Sequence, residues 1–164
     1  MKKPEPPVTQ GVRFLRDNGV EYSPHLYEYQ EHGGTARAAE ELEVDEHSVV
    51  KTLVMETEEK KPLIVLMHGD CEVSTKELAR QIGARRVLPC DPAAAHRHTG
   101  YQVGGISPFG TKSALPVYCE SSILSLGRIY LNGGKRGFLV GLSPVELERV
   151  LPVLPVRVAI REEE

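Results

Sequence analysis

Two apolar runs separated by a short polar bridge constrain this sequence most: Val49 to Met55, then Pro62 to His68, joined by Glu56-Thr57-Glu58-Glu59-Lys60-Lys61. Both runs are rich in Val, Ile and Leu and of strand length, and the bridge is short enough to fold them back on each other as a hairpin. The longest uninterrupted apolar stretch, Leu63-Ile64-Val65-Leu66-Met67, is far too short to cross a bilayer. No membrane role is expected.

Around this pair the pattern alternates. Val12, Phe14 and Leu15 mark a helix over Gln10 to Asn18, stopped by Asn18-Gly19. Tyr22 to Tyr29 reads as a strand beginning near Pro24, and Gly33-Gly34 breaks the chain before a helix from Thr35, its expected cap, to about Leu42. Ser74, with Glu77 three residues on, caps a helix over Lys76 to Ile82 that Gly83 ends. Arg85 to Leu88 forms a short strand, and Asp91-Pro92 opens a helix over Ala93 to His98. Strands follow at Leu115 to Cys119, Gly127 to Asn132 and, after a Gly133-Gly134 turn, Arg136 to Leu142. Ser143-Pro144 caps a last helix, Val145 to Leu151, and Val153 to Ile160 adds a strand. Short interleaved strands and helices without repeat or linker give one compact α/β domain over residues 1–164, with a mixed, largely antiparallel sheet and surrounding helices. Residues 1–8, rich in proline, form a flexible leader and not a secretory signal, because no apolar stretch follows Lys2-Lys3.

At 164 residues the chain can bury a real core, and with no Trp that core rests on Leu, Val and Ile. The formal charge of −3 excludes a protein coated in basic residues, though Arg80, Arg85, Arg86, Arg128, Lys135 and Arg136 could supply a local basic mouth. Cys71, Cys90 and Cys119 are odd in number and widely spaced, which argues for reduced thiols and a cytoplasmic location.

Three segments depart from what a core needs. Lys51 stands inside an apolar strand, Val50-Lys51-Thr52-Leu53-Val54. Such a lysine lies either on a solvent face or toward a pocket, where it is a fixed cation for a phosphate, carboxylate or oxyanion. Thr99 to Gly110 combines the side-chain-free amides of Gly104 and Gly105 with Pro108, either a surface loop or a close cradle for a carbonyl or ribose. It is neither a nucleophile elbow, since the second glycine around Ser107 is missing, nor a P-loop. Asn132-Gly133-Gly134-Lys135-Arg136-Gly137 is an exposed hairpin whose Lys135 and Arg136 also suit a nucleic-acid phosphate. His96 and His98 lack a third ligand, and Cys71 in His68-Gly69-Asp70-Cys71 lacks a persuasive base, so no metal site is expected.

Together, Val50-Lys51-Thr52-Leu53, the Thr99–Gly110 loop and Ile129-Tyr130 through Gly133-Gly134-Lys135-Arg136-Gly137 resemble the YbaK/EbsC family, relatives of the editing domain inserted in bacterial prolyl-tRNA synthetases. The resemblance implies hydrolysis of the ester joining a wrong amino acid to the tRNA 3′-adenosine, with no metal or other cofactor. Aminoacylated tRNA is the implied partner, and prolyl-tRNA synthetase a further one. By the same resemblance Lys51 matches the family's functional strand lysine, Tyr27 a pocket tyrosine, and Thr52, Gly104, Gly105, Ser107 and Pro108 substrate-binding positions. An acidic residue expected at position 139 is Leu139 here. The first expectation is therefore a Cys-tRNA(Pro) deacylase, with an Ala-tRNA(Pro) deacylase or a non-catalytic tRNA- or synthetase-binding module as alternatives.

Overall fold

The computed structural model describes residues 5–161, so half of the leader expected at 1–8 and the acidic Glu162–Glu164 end lie outside the described residues. In chain order the elements are α1 (Gln10–Asp17), β1 (Ser23–Leu26), α2 (Gly34–Leu42), β2 (Val49–Thr57), β3 (Pro62–His68), β4 (Cys71–Val73), α3 (Thr75–Ile82) and β5 (Val87–Pro89). They continue with α4 (Pro92–Thr99), β6 (Val117–Glu120), β7 (Ile129–Lys135), β8 (Phe138–Leu142), α5 (Pro144–Val150), β9 (Leu154–Val156) and β10 (Ala159–Arg161). Single 3₁₀ turns at Glu46–Ser48 and Ser121–Ser125 lead into β2 and out of β6.

The main sheet runs β1-β8-β7-β2-β3-β6-β9, with β5 also on β2, and β4 pairs with β10 separately. The central hairpin forms as expected, with β2 and β3 antiparallel from Val50↔His68 to Glu56↔Pro62. The sheet is mixed because β2 lies parallel to β7, and β6 parallel to both β3 and β9. The apolar run of β3 now has a physical reason. Ile64 and Leu66 enter one core with Val50, Phe109, Leu131 and Val140, while Leu63, Val65 and Met67 enter a second with Leu78 and Val87. A strand covered on both faces has no polar side to alternate with. A third, smaller cluster joins Ala38 and Ala39 of α2 to Val49 and Leu139.

Capping follows the sequence at α3, α4 and α5, where Ser74, Asp91 and Ser143 accept from the backbone amides of Glu77, Ala94 and Glu146. Three expectations are corrected. Thr35 is no cap: α2 starts a residue earlier, and the Thr35 hydroxyl lies 2.7 Å from Glu46 Oε2 and 3.1 Å from the Gly69 carbonyl. Gly133-Gly134 is not the hairpin turn but part of β7, at an irregularity between Asn132 and Lys135; the turn falls at Arg136-Gly137. Gly133 is required there because a Cβ would stand 2.3 Å from the Phe138 ring. The strand expected over Val153 to Ile160 splits into β9 and β10, since buried Glu120 takes the Val158 and Ala159 amides at 2.6 and 3.0 Å and turns the chain into the second sheet. The short β4 carries too little pattern to be seen in the sequence.

Candidate functional site

β2 and β7 run side by side at only two registered pairs, Val49↔Tyr130 and Val50↔Leu131, and then part. A crevice where parallel strands separate at their carboxyl ends is a recurrent ligand position in α/β sheets. Here it holds a cavity of about 420 Å³, within the range of small-molecule sites. Lys51 and Thr52 of β2 form its floor; Gly34, Thr35 and Ala38 of α2, with Tyr27 and Tyr29, form one wall. Val103, Gly104 and Ile106 of the glycine-rich loop form the other, together with Asn132, Arg136 and Leu139 from the β7–β8 hairpin.

The sequence-derived candidates divide. Tyr27, Lys51, Thr52, Gly104 and Arg136 all line the cavity, although they come from four separate stretches of chain. Tyr27 is tied to the hairpin through its amide, which donates to the Gly137 carbonyl at 2.9 Å, and burial raises its phenol pKa, keeping it neutral. Lys51 Nζ donates to the Cys71 carbonyl at 2.8 Å, which holds the ammonium against the start of β4. Thr52 Oγ1 is buried and has no hydrogen-bond partner among the described residues. Buried hydroxyls are almost always paired, so this one suits a bound ligand. Gly104 has φ +92, and a Cβ on it would lie 2.9 Å from the Tyr29 hydroxyl.

Gly105, Ser107, Pro108 and Lys135 do not line it. The Gly105 amide donates to the Gln102 carbonyl at 2.8 Å, so it closes a turn instead of facing a substrate. Ser107 is 0% exposed and its Oγ accepts from the Phe109 amide at 3.1 Å; Pro108 is buried beside it. These residues shape the loop from behind. Lys135 is exposed at the hairpin tip, outside the cavity.

Asn132 and Tyr29 are among the cavity residues missed as site residues in the sequence. Asn132 donates Nδ2 to the Gly104 carbonyl at 3.1 Å, while its Oδ1 accepts from Gly134 and Lys135 amides at 2.7 and 3.1 Å. Tyr29 lies under the Arg136 guanidinium, 5.2 Å from ring centroid to Cζ, and Arg136 Nε donates to the Val103 carbonyl at 3.0 Å. A polar residue placed before Gly-Gly was a usable signal for Asn132; nothing in the spacing marked Tyr29.

The thiols of this chain are poor nucleophiles. Burial, with Glu56 and Asp91 nearby, pushes the Cys90 thiol up to about 11; burial beside Glu120 pushes Cys119 up to about 12. Cys71 is raised as well, by burial and the Asp70 carboxylate. Thiols so shifted are protonated near neutral pH. No metal site was expected, yet the fold brings the donor atoms of His47, Asp70 and Cys71 within 4.8 Å of one another. The reading of His68 and Cys71 overlooked His47, which only the β2–β3 register brings near them.

Comparison with known proteins adds an independent line. Residues 31–150 match the aminoacyl-tRNA editing domain family. A candidate Cys-tRNA(Pro)/Cys-tRNA(Cys) deacylase of Enterococcus faecalis, EbsC, is 28% identical over 144 residues, spanning 87% of this chain and 88% of its own. The proline–tRNA ligase of Brachyspira hyodysenteriae is 28% identical over 86 residues, 52% of this chain but only 15% of the ligase. Among solved structures, a candidate trans-editing enzyme for prolyl-tRNA synthetase superposes with a TM-score of 0.80 at 20% identity, covering 94% of this chain and 96% of that one.

Proposed function

Because this chain belongs to the aminoacyl-tRNA editing domain family, a family with members named as deacylases, we propose that it hydrolyses the ester of a mischarged tRNA, Cys-tRNA(Pro) first. The observation that carries the reading is the gathering of Lys51, Thr52 and Gly104 around one cavity where β2 and β7 part. The whole chain acts as a single deacylase domain. Aminoacylated tRNA is its substrate, the cytoplasm its place of work, and prolyl-tRNA synthetase a partner that hands over the tRNA. Among the described residues no helix is long and apolar enough to cross a membrane.

In this reading Lys51 supplies positive charge toward the ester, and Thr52 Oγ1 and the Gly104 backbone supply polar contacts. The Tyr29 ring and the Arg136 guanidinium give a flat surface suited to stacking a nucleobase. Arg136, with Lys135 beyond it, meets the phosphates. Ala38, Val49 and Leu139 make the inner wall apolar, and Leu139 is 4% exposed. That wall suits a side chain as small and weakly polar as a thiol. It does not suit a charged one.

With Ser107 buried elsewhere and the protein's thiols protonated, the attacking group comes from the substrate. The cysteine sulfur attacks its own ester carbonyl carbon, a cyclic thioester forms, and the ribose oxygen leaves and takes up a proton. Water then opens the thioester to free cysteine. Replacement of the expected acidic residue by Leu139 keeps a second reading open, an Ala-tRNA(Pro) deacylase in which water attacks directly.

Purified protein incubated with Cys-tRNA(Pro), Ser-tRNA(Pro) and Ala-tRNA(Pro) tests this. Clearance of the cysteine ester well ahead of the other two is expected. Equal rates for cysteine and alanine esters would favour attacking water, and binding without clearance of any would leave a tRNA-binding module.

A further inference from the structure

Outside the cavity, one cluster of chemically capable side chains stands apart from the deacylase reading. His47, on the 3₁₀ turn before β2, places Nδ1 2.8 Å from Asp70 Oδ1 on the β3–β4 turn. The next residue, Cys71, opens β4 with its Sγ 3.7 Å from the same oxygen. We propose that His47, Asp70 and Cys71 form a zinc site with one open position for water.

The donor set fits zinc. An imidazole nitrogen, a carboxylate oxygen and a thiolate match the ligand preferences of Zn²⁺, and three protein ligands plus solvent is a common catalytic-type arrangement. Tetrahedral zinc with ordinary Zn–S and Zn–O bonds sets those two ligand atoms about 3.6 Å apart, close to the 3.7 Å between Cys71 Sγ and Asp70 Oδ1. The His47–Asp70 pair must open from 2.8 Å to about 3.4 Å, exchanging one hydrogen bond for two metal bonds. Zinc displaces the Cys71 proton to solvent, and the thiolate and carboxylate together balance its two positive charges.

The donors are also held in place. The His47 amide donates to Asp45 Oδ1 at 3.0 Å, and its ring stacks on His68 at 3.6 Å between centroids, nearly parallel. His68 in turn donates Nδ1 to the His47 carbonyl and pairs Nε2 with Ser122 Oγ, both at 2.6 Å, so it supports the site and is not a ligand. Cys71 is fixed opposite Arg161 by the β4–β10 pairing, and its carbonyl accepts from Lys51 Nζ. Supporting contacts of this kind tune ligand orientation at metal centres. The His47 and Asp70 side chains are each 31% exposed, which leaves a solvent route for the ion.

The test uses the full reduced chain and the metal alone. Zn²⁺ titrated against a competing chromophoric chelator should bind at one equivalent and raise the melting temperature, and Co²⁺ should give a thiolate charge-transfer band. Because a thiol binds zinc only as the thiolate and must release its proton, affinity should rise with pH. Asp70→Asn, His47→Gln and Cys71→Ser, each checked for native circular dichroism, should abolish the one-equivalent binding. Asp45→Ala should weaken it by about 10–100-fold, as loss of a supporting contact does. The double variant His96→Gln/His98→Gln should bind as the parent does. No stoichiometric binding to the parent, no thiolate band, or binding that survives Asp70→Asn would overturn the site, and none of these outcomes bears on whether the cavity hydrolyses tRNA esters.

Discussion

Asn132 and Gly104, 28 residues apart, are joined by a 3.1 Å hydrogen bond from the Asn132 side-chain amide to the Gly104 carbonyl. This bond fastens the glycine-rich wall of the cavity to the β7–β8 hairpin. Asn132→Asp keeps the acceptor for the Gly134 and Lys135 amides but loses the donor. One lost bond of this kind is worth about 0.5–1.5 kcal/mol. The expected outcome is a melting temperature near that of the parent with kcat/KM on the best mischarged tRNA reduced by about 3–10-fold, mostly through KM. Parent-like kinetics would mean that the loop holds its place without Asn132.

The same loop is pressed against the hairpin at Gly105. A Cβ there would lie 2.7 Å from the Arg136 nitrogen and 2.9 Å from the Lys135 carbonyl carbon, both backbone atoms that cannot swing away. Gly105→Ala should therefore destabilise by about 1–3 kcal/mol, the range for overpacking, seen as a melting temperature lower by roughly 2–4 °C for each kcal/mol. Gly127→Ala is the control, because nothing lies within 4 Å of its added carbon. Equal melting temperatures for the two variants would contradict the close approach.

How legible this was varies with the physical cause. The β2–β3 hairpin and the caps at Ser74, Asp91 and Ser143 were readable because local pattern and local hydrogen bonding decide them. Lys51 was conspicuous as a charge in an apolar strand. Gly105 and Ser107 looked like substrate groups because sequence shows that an amide or hydroxyl is present, not which partner takes it; Gln102 and Phe109 do. The split of Val153–Ile160 depends on Glu120, more than thirty residues earlier, and the His47–Asp70–Cys71 cluster on strand register. Neither has a local signature.

Lys51→Ala should remove activity without unfolding the chain. Removing a well-placed charged donor costs about 2.7–4 kcal/mol of transition-state stabilisation, or roughly 10²–10³ in rate. Single-turnover clearance of Cys-tRNA(Pro), alongside circular dichroism, separates lost chemistry from lost structure. Lys51→Arg should recover little, since a planar guanidinium cannot reproduce the point contact that the ammonium makes with the Cys71 carbonyl at 2.8 Å. Near-parent rates for Lys51→Ala would remove it from the mechanism.

Stability should fall in mild acid. His68 is 1% exposed, and burial holds its pKa below the ordinary imidazole value of 6.5 against the opposing bond to the His47 carbonyl. His25 is lowered in the same sense, by burial and by Arg128. With folded values below unfolded ones, the neutral forms favour folding above 6.5, and that contribution is lost as pH falls from there through the folded values. Melting temperatures measured from about pH 7.5 down to about pH 5 should decline, with a shallower slope in His68→Gln. A flat profile for the parent would show that neither histidine is desolvated.

Thr52 offers a test in which stability and function move in opposite directions. Its Oγ1 is buried with no hydrogen-bond partner among the described residues, yet Thr52 lines the cavity. Leaving such a hydroxyl unpaired costs the fold about 1–3 kcal/mol. Thr52→Val keeps the branched shape while removing the oxygen. The ligand-free variant should therefore melt higher than the parent, by an amount equivalent to about 1 kcal/mol or more. If the hydroxyl meets the substrate, the same variant should clear mischarged tRNA more slowly, because the group it contacted in the transition state is left facing a methyl. A variant both more stable and slower would fit a polar group kept for substrate at the expense of the fold. A less stable variant would reveal a partner for Oγ1 within the protein, and unchanged clearance would place the ester away from this side chain.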